Sequence, residues 1–211
     1  MHPMIKIEGV RHAHNTAASP LPELDECGFL ASVGPAGRGK STRTKPLPGL
    51  LIPDEGQVML PGEVVDKPRS TVGMAFQTPM LLEWRPILQN GMRTLEIVPN
   101  TPSQAEKGDR APPPEPVGLN GFEGTRPSEL SGGTRQRAPP CRALVHEPEV
   151  LILDDPFGAL DAFPREDLWQ TMHWVTENEP FSGVLSTQDL RGAIILADRV
   201  VVLSGRPART R

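Results

Sequence analysis

The stretch GPAGRGKST, residues 34–42, decides the kind of fold that this chain forms. It fits the phosphate-loop pattern G-x-x-x-x-G-K-[ST], whose fixed positions are occupied by Gly34, Gly39, Lys40 and Ser41. Glycines let the backbone curl until successive N–H groups point at phosphate oxygens, the lysine reaches the terminal phosphates, and the serine hydroxyl ligates Mg²⁺. A chance Gly-rich turn would match in only about one chain in a hundred of this length. The stretch therefore predicts nucleotide binding.

The flanking residues provide the strand and the helix that such a loop requires. Residues 29–33 form a short, mostly apolar run. Pro46 and Pro48 fall within the first turns of the following helix, and an interior proline costs about 3 kcal/mol or more. Arg43 and Lys45 place charge where a helix packed on a sheet needs apolar residues. We expect this helix to be short or bent.

Composition narrows the class of protein. The 211 residues suffice for one domain with its own core, and a net charge of −4 gives no electrostatic reason to expect a nucleic-acid partner. Cys27 and Cys141 are far apart and lack metal-ligand spacing, which favours a reducing compartment. No apolar run approaches the roughly 18 residues that span a membrane, and no signal peptide is visible. The sequence predicts a soluble or peripheral protein.

Apolar runs outline an α/β protein. Alternating apolar and charged residues over 4–10 predict a half-exposed, antiparallel strand, and further strands are predicted at residues 29–33, 56–60, 71–76, 150–153, 184–186 and 200–203. Helices are predicted at residues 87–97, 163–177 and 190–196, whereas residues 100–116 are polar and proline-rich, which is typical of a loop or a poorly ordered segment. Strands that alternate with helices predict a mostly parallel sheet covered on both faces.

The apolar run 150–153 ends in Asp154 and Asp155. A buried parallel strand that delivers carboxylates at its C-terminal end is the arrangement in which an Asp holds Mg²⁺ beside a phosphate-loop serine. The alternative, a strand followed by an Asx turn, is about as common in general. The phosphate loop upstream favours the metal-binding interpretation.

Several motifs now occur in a characteristic order. They are GPAGRGKST at 34–42, FQTPMLLEWRP at 76–86, LSGGTRQR at 130–137, LVHEPEVLILDDPFGALDA at 144–162 and LADRVVVLSGRPAR at 196–209. In this order the sequence resembles the ATP-binding subunit of ABC transporters, and within that family the importer ATPases of the nitrate/sulfonate/taurine group. The first four motifs would be the Walker A loop, the Q-loop with the segment after it, the family signature, and Walker B with the D-loop residue Asp161, and the fifth is also similar to the family.

The resemblance implies a single nucleotide-binding domain over residues 1–211. Its fold would be a phosphate-loop α/β fold with a mostly parallel sheet, an antiparallel β part and a helical subdomain at about residues 80–140. The implied activity is hydrolysis of ATP coupled to import of a small anion or sulfonate-type solute through a membrane permease. The implied location is the cytoplasmic face of the bacterial inner membrane, and a periplasmic solute-binding protein would take part indirectly.

The resemblance also assigns roles to residues. Two copies, most simply a homodimer, would enclose ATP between the Walker A loop of one and the signature of the other. Mg²⁺ would contact Ser41, Gln77 and Asp154, and the Q-loop segment through about Trp84 would receive the permease. The nucleotide-binding residues are Gly34, Pro35, Ala36, Gly37, Arg38, Gly39, Lys40, Ser41, Thr42, Gln77, Ser131, Gly132 and Gly133.

Some residues depart from the family pattern. Asp155 occupies the place of the catalytic Glu, which would set its carboxylate about 1.5 Å back, and a 1 Å misplacement can cost about 10²-fold in rate. Gln188 occupies the place of the switch His, so it can donate a hydrogen bond but brings no charge. His14 is the nearest candidate for the ring that stacks on adenine. Pro139 and Pro140 are expected to interrupt the helix that follows the signature.

These features leave three hypotheses about the protein. The first is a working ATPase, in which Asp155 and Gln188 are the catalytic residues. The second is a subunit that binds nucleotide without hydrolysing it. The third is a decayed member of the family whose broken helices fold poorly.

Overall fold

The computed structural model describes residues 4–11, 23–37, 40–97 and 119–203. Eight strands are described in this part of the chain: β1 Lys6–Arg11, β2 Phe29–Val33, β3 Glu55–Leu60, β4 Glu63–Val64, β5 Val72–Ala75, β6 Val150–Asp154, β7 Ser182–Thr187 and β8 Arg199–Val202. The α-helices described there are α1 Lys40–Thr44, α2 Ile87–Ile97, α3 Gly132–Leu144, α4 Ala162–Asn178 and α5 Leu190–Leu196. The predictions for His14, Arg38, Gly39 and the whole loop at residues 100–116 lie outside the described residues.

A five-stranded parallel sheet forms the centre, in the order β5-β6-β7-β2-β8. Its three inner strands, β6, β7 and β2, are buried along their whole length, as expected for strands covered on both faces. The predicted mostly parallel sheet is confirmed. Because parallel strands end at the same edge, the loops that follow β2, β6 and β7 meet there.

A second sheet, of order β1-β3-β4, is antiparallel and packs against the parallel one. It confirms the prediction of an antiparallel, half-exposed strand near the N-terminus. The turn at Pro61 and Gly62 joins β3 to β4, and Ile5 pairs with Leu24 through an isolated bridge. Apolar side chains of this sheet share one core cluster with Leu47, which follows α1, and with one face of the parallel sheet.

The other face of the parallel sheet packs against α4 and α5. Leu168, Met172 and Val175 lie on one side of α4 and are buried, which confirms the predicted apolar face. The helices α2 and α3 contact each other and form a small third cluster around Ile87 and Leu130.

The prolines act differently in the two helices that follow the nucleotide motifs. The helix α1 has five residues and gives way to turns at Pro46 and Pro48, so the expected short helix is confirmed. The expected interruption of α3 is wrong, because α3 runs through Pro139 and Pro140 without a break. Both prolines are buried, and their packing against neighbouring elements offsets part of the cost of the two backbone hydrogen bonds that they cannot make.

Candidate nucleotide-binding site

The phosphate loop leaves the C-terminal end of β2 and enters α1. Gly34 lies so near the chain after β8 that a Cβ atom on it would be 3.1 Å from the Leu203 Cβ, so a larger residue would require Leu203 to shift by a few tenths of an ångström. Its N–H donates to the Thr187 carbonyl at 3.3 Å. Pro35, Ala36 and Gly37 follow it and are exposed. The backbone of the loop is thus held at its base and open at its tip.

Lys40 folds back over the loop. Its Nζ donates to the carbonyl oxygens of Gly34 at 2.6 Å and Pro35 at 3.0 Å, and the residue is buried. Burial lowers the pKa of Lys40, while the nearby carboxylates of Asp155 and Asp154 act in the opposite direction. The cation is therefore held at the loop by hydrogen bonds that a phosphate oxygen can replace, and its desolvation strengthens its attraction to an anion.

Ser41 and Asp154 meet although 113 positions separate them. The Ser41 Oγ donates to the Asp154 Oδ1 at 2.8 Å. Burial raises the pKa of Asp154, and the hydrogen bond from Ser41 partly opposes that rise. A hydroxyl and a carboxylate oxygen at this distance are ligands that suit Mg²⁺, so the residues present fit the predicted ion.

Gln77 is placed differently from the other two predicted metal ligands. It lies two residues beyond β5 and is exposed. Ser41 and Asp154 are hydrogen-bonded to each other, whereas no hydrogen bond among the described residues joins Gln77 to either of them. The Gln77 carbonyl accepts a hydrogen bond from Gln136 at 2.8 Å. The structure thus positions the main chain of Gln77 and leaves its side chain in solvent.

Asp155 and Gln188, the two predicted catalytic residues, contact each other. The Gln188 Nε2 donates to the Asp155 Oδ2 at 3.1 Å, and the Thr187 Oγ1 donates to the Asp155 Oδ1 at 3.3 Å. Asp155 has a φ of 47°, a left-handed conformation that Asp tolerates better than most residues, and its N–H donates to the Ser186 carbonyl at 2.7 Å. Both carboxylate oxygens are therefore oriented by the end of β7.

The signature residues begin α3. Ser131 is the N-cap, and its Oγ accepts from the Thr134 N–H at 3.1 Å, which satisfies one of the free donors of the helix end. Ser131 and Gly132 are exposed and Gly133 is half-buried. The N-terminus of α3 is thus open to a second molecule.

Sequence reasoning did not identify Gln136 as part of the site. It is buried, and its Nε2 donates to the carbonyls of Gln77 at 2.8 Å and Pro156 at 3.0 Å. One side chain therefore joins the signature helix to the segments after β5 and β6. Its spacing along the helix could have indicated that it is buried. Gln136 begins the stripe of buried residues on α3 that continues at Pro139, Pro140 and Ala143.

Comparison with known proteins identifies the family. Residues 23–158 match the family model described as "ABC transporter". The chain is 36% identical over 187 residues to the aliphatic sulfonates import ATP-binding protein SsuB of Bacillus cereus, covering 89% of this chain and 73% of that protein. It is 35% identical to the taurine import ATP-binding protein TauB of Pseudomonas syringae over 98% of this chain and 80% of that protein.

Two further comparisons cover nearly all of the chain. The bicarbonate transport ATP-binding protein CmpD of Synechocystis is 33% identical over 96% of this chain and 75% of that protein. The dimeric structure of MJ0796, a bacterial ABC transporter cassette, superposes with a TM-score of 0.81 at 25% identity, over 99% of this chain and 97% of that one. No helix among the described residues is long and apolar enough to cross a membrane. The chain therefore belongs to the ABC transporter family and is one of its ATP-binding proteins.

Proposed function

We propose that this chain binds ATP with Mg²⁺ and hydrolyses it as the ATP-binding subunit of an importer for a small anion or sulfonate-type solute. The observation that carries the proposal is the arrangement at the end of β2 and β6, where the Lys40 ammonium lies on the phosphate loop and Ser41 contacts Asp154. Names of the relatives support the solute class, since they include aliphatic sulfonate, taurine and bicarbonate proteins.

Each group has a task in binding. The Lys40 Nζ would exchange its carbonyl partners for the terminal phosphate oxygens. Ser41 and Asp154 would hold Mg²⁺, with Gln77 as a further ligand from the exposed loop after β5. When bound, the ion would neutralise charge on the phosphates. The exposed backbone N–H groups of residues 36 and 37 would face the phosphates as in other Gly-rich loops.

Hydrolysis requires a base near the terminal phosphate. Asp155 is the candidate, because its carboxylate lies near Lys40 and is oriented by Thr187 and Gln188. Gln188 donates to that carboxylate and can instead donate to a phosphate oxygen. The alternative of a subunit that never hydrolyses is less favoured, because both residues already form one hydrogen-bonded group.

The assembly is also part of the proposal. We expect residues 1–211 to act as one domain, with a helical subdomain near 80–140, and to form a homodimer in which Ser131, Gly132 and Gly133 face the partner's nucleotide. The permease would bind at the Q-loop segment, on the cytoplasmic face of the bacterial inner membrane. Solute would arrive through a periplasmic solute-binding protein.

Fluorescent-nucleotide titration of the purified protein tests the binding step. Lys40→Ala removes charge-assisted hydrogen bonds worth roughly 1.5–3 kcal/mol, so we expect the ATP Kd to rise about 10- to 100-fold. Lys67→Ala is the matched control, since Lys67 is an exposed lysine between β4 and β5. The titration is done with Mg²⁺ and with chelator. Equal affinity of the two variants would contradict the proposed phosphate loop.

Phosphate release tests the hydrolysis step. We expect Mg²⁺-dependent release by the wild type and its loss in Asp155→Asn, which keeps the size of the side chain and removes the base. A wild type that binds ATP tightly and releases no phosphate, but gains turnover in Asp155→Glu/Gln188→His, would establish the non-hydrolysing alternative instead.

A further inference from the structure

We propose that Arg165 is a positioning residue for hydrolysis, which ties the chain segment before α4 to the strand end that carries Gln188. The inference rests on the proposed ATPase function. The Arg165 guanidinium bonds in two directions. Its Nη1 donates to the Asp189 Oδ2 at 2.9 Å, and its Nη2 donates to the Leu160 carbonyl.

Asp189 continues the connection toward the reacting groups. Its N–H donates to the Thr187 Oγ1 at 3.0 Å, and the same hydroxyl donates to the Asp155 carboxylate. A hydrogen-bonded path therefore runs from the Leu160 carbonyl through Arg165, Asp189 and Thr187 to Asp155. Gln188 lies inside this path, one residue before Asp189, and holds the other oxygen of Asp155.

The path closes a ring. Residues 155–165 connect Asp155 to Arg165 along the chain, and the hydrogen bonds lead back from Arg165 to Asp155. The chain and the hydrogen bonds together allow the Asp155 carboxylate less movement than either of them would alone. A displacement at Leu160 must also be accommodated by the end of β7. Only a planar guanidinium offers several donors in fixed, diverging directions, so a lysine cannot make both contacts with the same geometry.

A second ion pair, which joins α4 to α5, provides a matched comparison. Glu166 on α4 and Arg191 on α5 approach to 3.7 Å, with side chains that are 51% and 80% exposed. In contrast, the side chains of Arg165 and Asp189 are 25% and 29% exposed. An exposed pair at that distance contributes little, and Glu166 has no described hydrogen bond to the ring.

Steady-state hydrolysis and ATP binding are measured for the wild type, Arg165→Met, Asp189→Asn, the double variant and Glu166→Gln. For Arg165→Met we expect kcat to fall about tenfold with unchanged KM and ATP Kd, because Lys40 and Ser41 are not in the ring. Asp189→Asn still caps α5 and should lose less activity. The double variant should be no slower than Arg165→Met, since both changes open the same ring. Glu166→Gln should match the wild type.

The outcomes separate this inference from the proposed function. A wild-type-like kcat in Arg165→Met, additive losses in the double variant, or an equal loss in Glu166→Gln would overturn the positioning role while leaving ATP hydrolysis intact. If Arg165→Met does not fold, Asp189→Asn becomes the test of the positioning role. A wild-type kcat in Asp189→Asn would then overturn that role. A wild type without hydrolysis would overturn the proposed function, and the role together with it.

Discussion

Replacing Gly158 by Ala tests the assignment of Asp155 as the catalytic base without altering that residue. Gly158 follows Asp155 by three positions, and its N–H donates to the Asp155 carbonyl at 3.2 Å. A Cβ atom at this position would lie 3.0 Å from the Cγ and from both carboxylate oxygens of Asp155. The substitution therefore adds a single methyl group against the proposed reacting group and nothing else.

The distances give the size of the effect. Ordinary contact begins at 3.4 Å, so the Asp155 carboxylate must withdraw by 3.4 − 3.0, or about 0.4 Å. If a misplacement of 1 Å costs about 100-fold in rate, 0.4 Å corresponds to about sixfold. The withdrawal also strains the hydrogen bonds from Thr187 at 3.3 Å and Gln188 at 3.1 Å. We expect kcat to fall about five- to tenfold.

Steady-state phosphate release and nucleotide titration measure the two parameters separately. The ATP Kd should not change, because the three atoms nearest to the new Cβ all belong to Asp155, whereas phosphate and Mg²⁺ are proposed to bind at Lys40, Ser41 and Asp154. Gly124→Ala is the control, since a Cβ atom there would meet nothing within 4 Å. A kcat within twofold of the wild type, or a loss confined to ATP affinity, would refute the reasoning.

Three further substitutions test the packing. In Gly183→Ala the new Cβ would lie 2.1 Å from the buried Phe29 ring. We expect the free energy of unfolding to fall by about 1–3 kcal/mol and the Tm by roughly 2–12 °C. An unchanged Tm would show that the ring can shift without loss of stability. Pro139→Ala with Pro140→Ala restores two backbone donors in α3 and should raise the free energy of unfolding by about 1–3 kcal/mol; urea unfolding measures it, and a decrease would mean that proline packing dominates. Gln136→Leu leaves two carbonyls unpaired and should cost about 1–3 kcal/mol by the same assay, whereas wild-type stability would mean that its hydrogen bonds contribute nothing.

Local patterns were sufficient for much of this protein. The phosphate loop and the two adjacent aspartates are short motifs whose residue types follow from the chemistry of binding phosphate and Mg²⁺, and the signature was identified by its resemblance to a family motif, so the sequence predicted the kind of site. Apolar runs predicted the parallel sheet, because strands buried on both faces carry few polar residues. The short helix α1 was also predictable, since Pro46 and Pro48 act on the backbone next to them.

Contacts between distant residues were decided only by the tertiary structure. The meeting of Asp155 with Gln188, 33 positions later, depends on β6 and β7 being neighbours in the sheet, and the ring through Arg165 depends on how α4 and α5 pack. The unbroken α3 depends on burial of Pro139 and Pro140 against other elements. Sequence motifs specify chemistry at single positions, whereas the distance between two side chains is set by strand order and packing, which no short stretch contains.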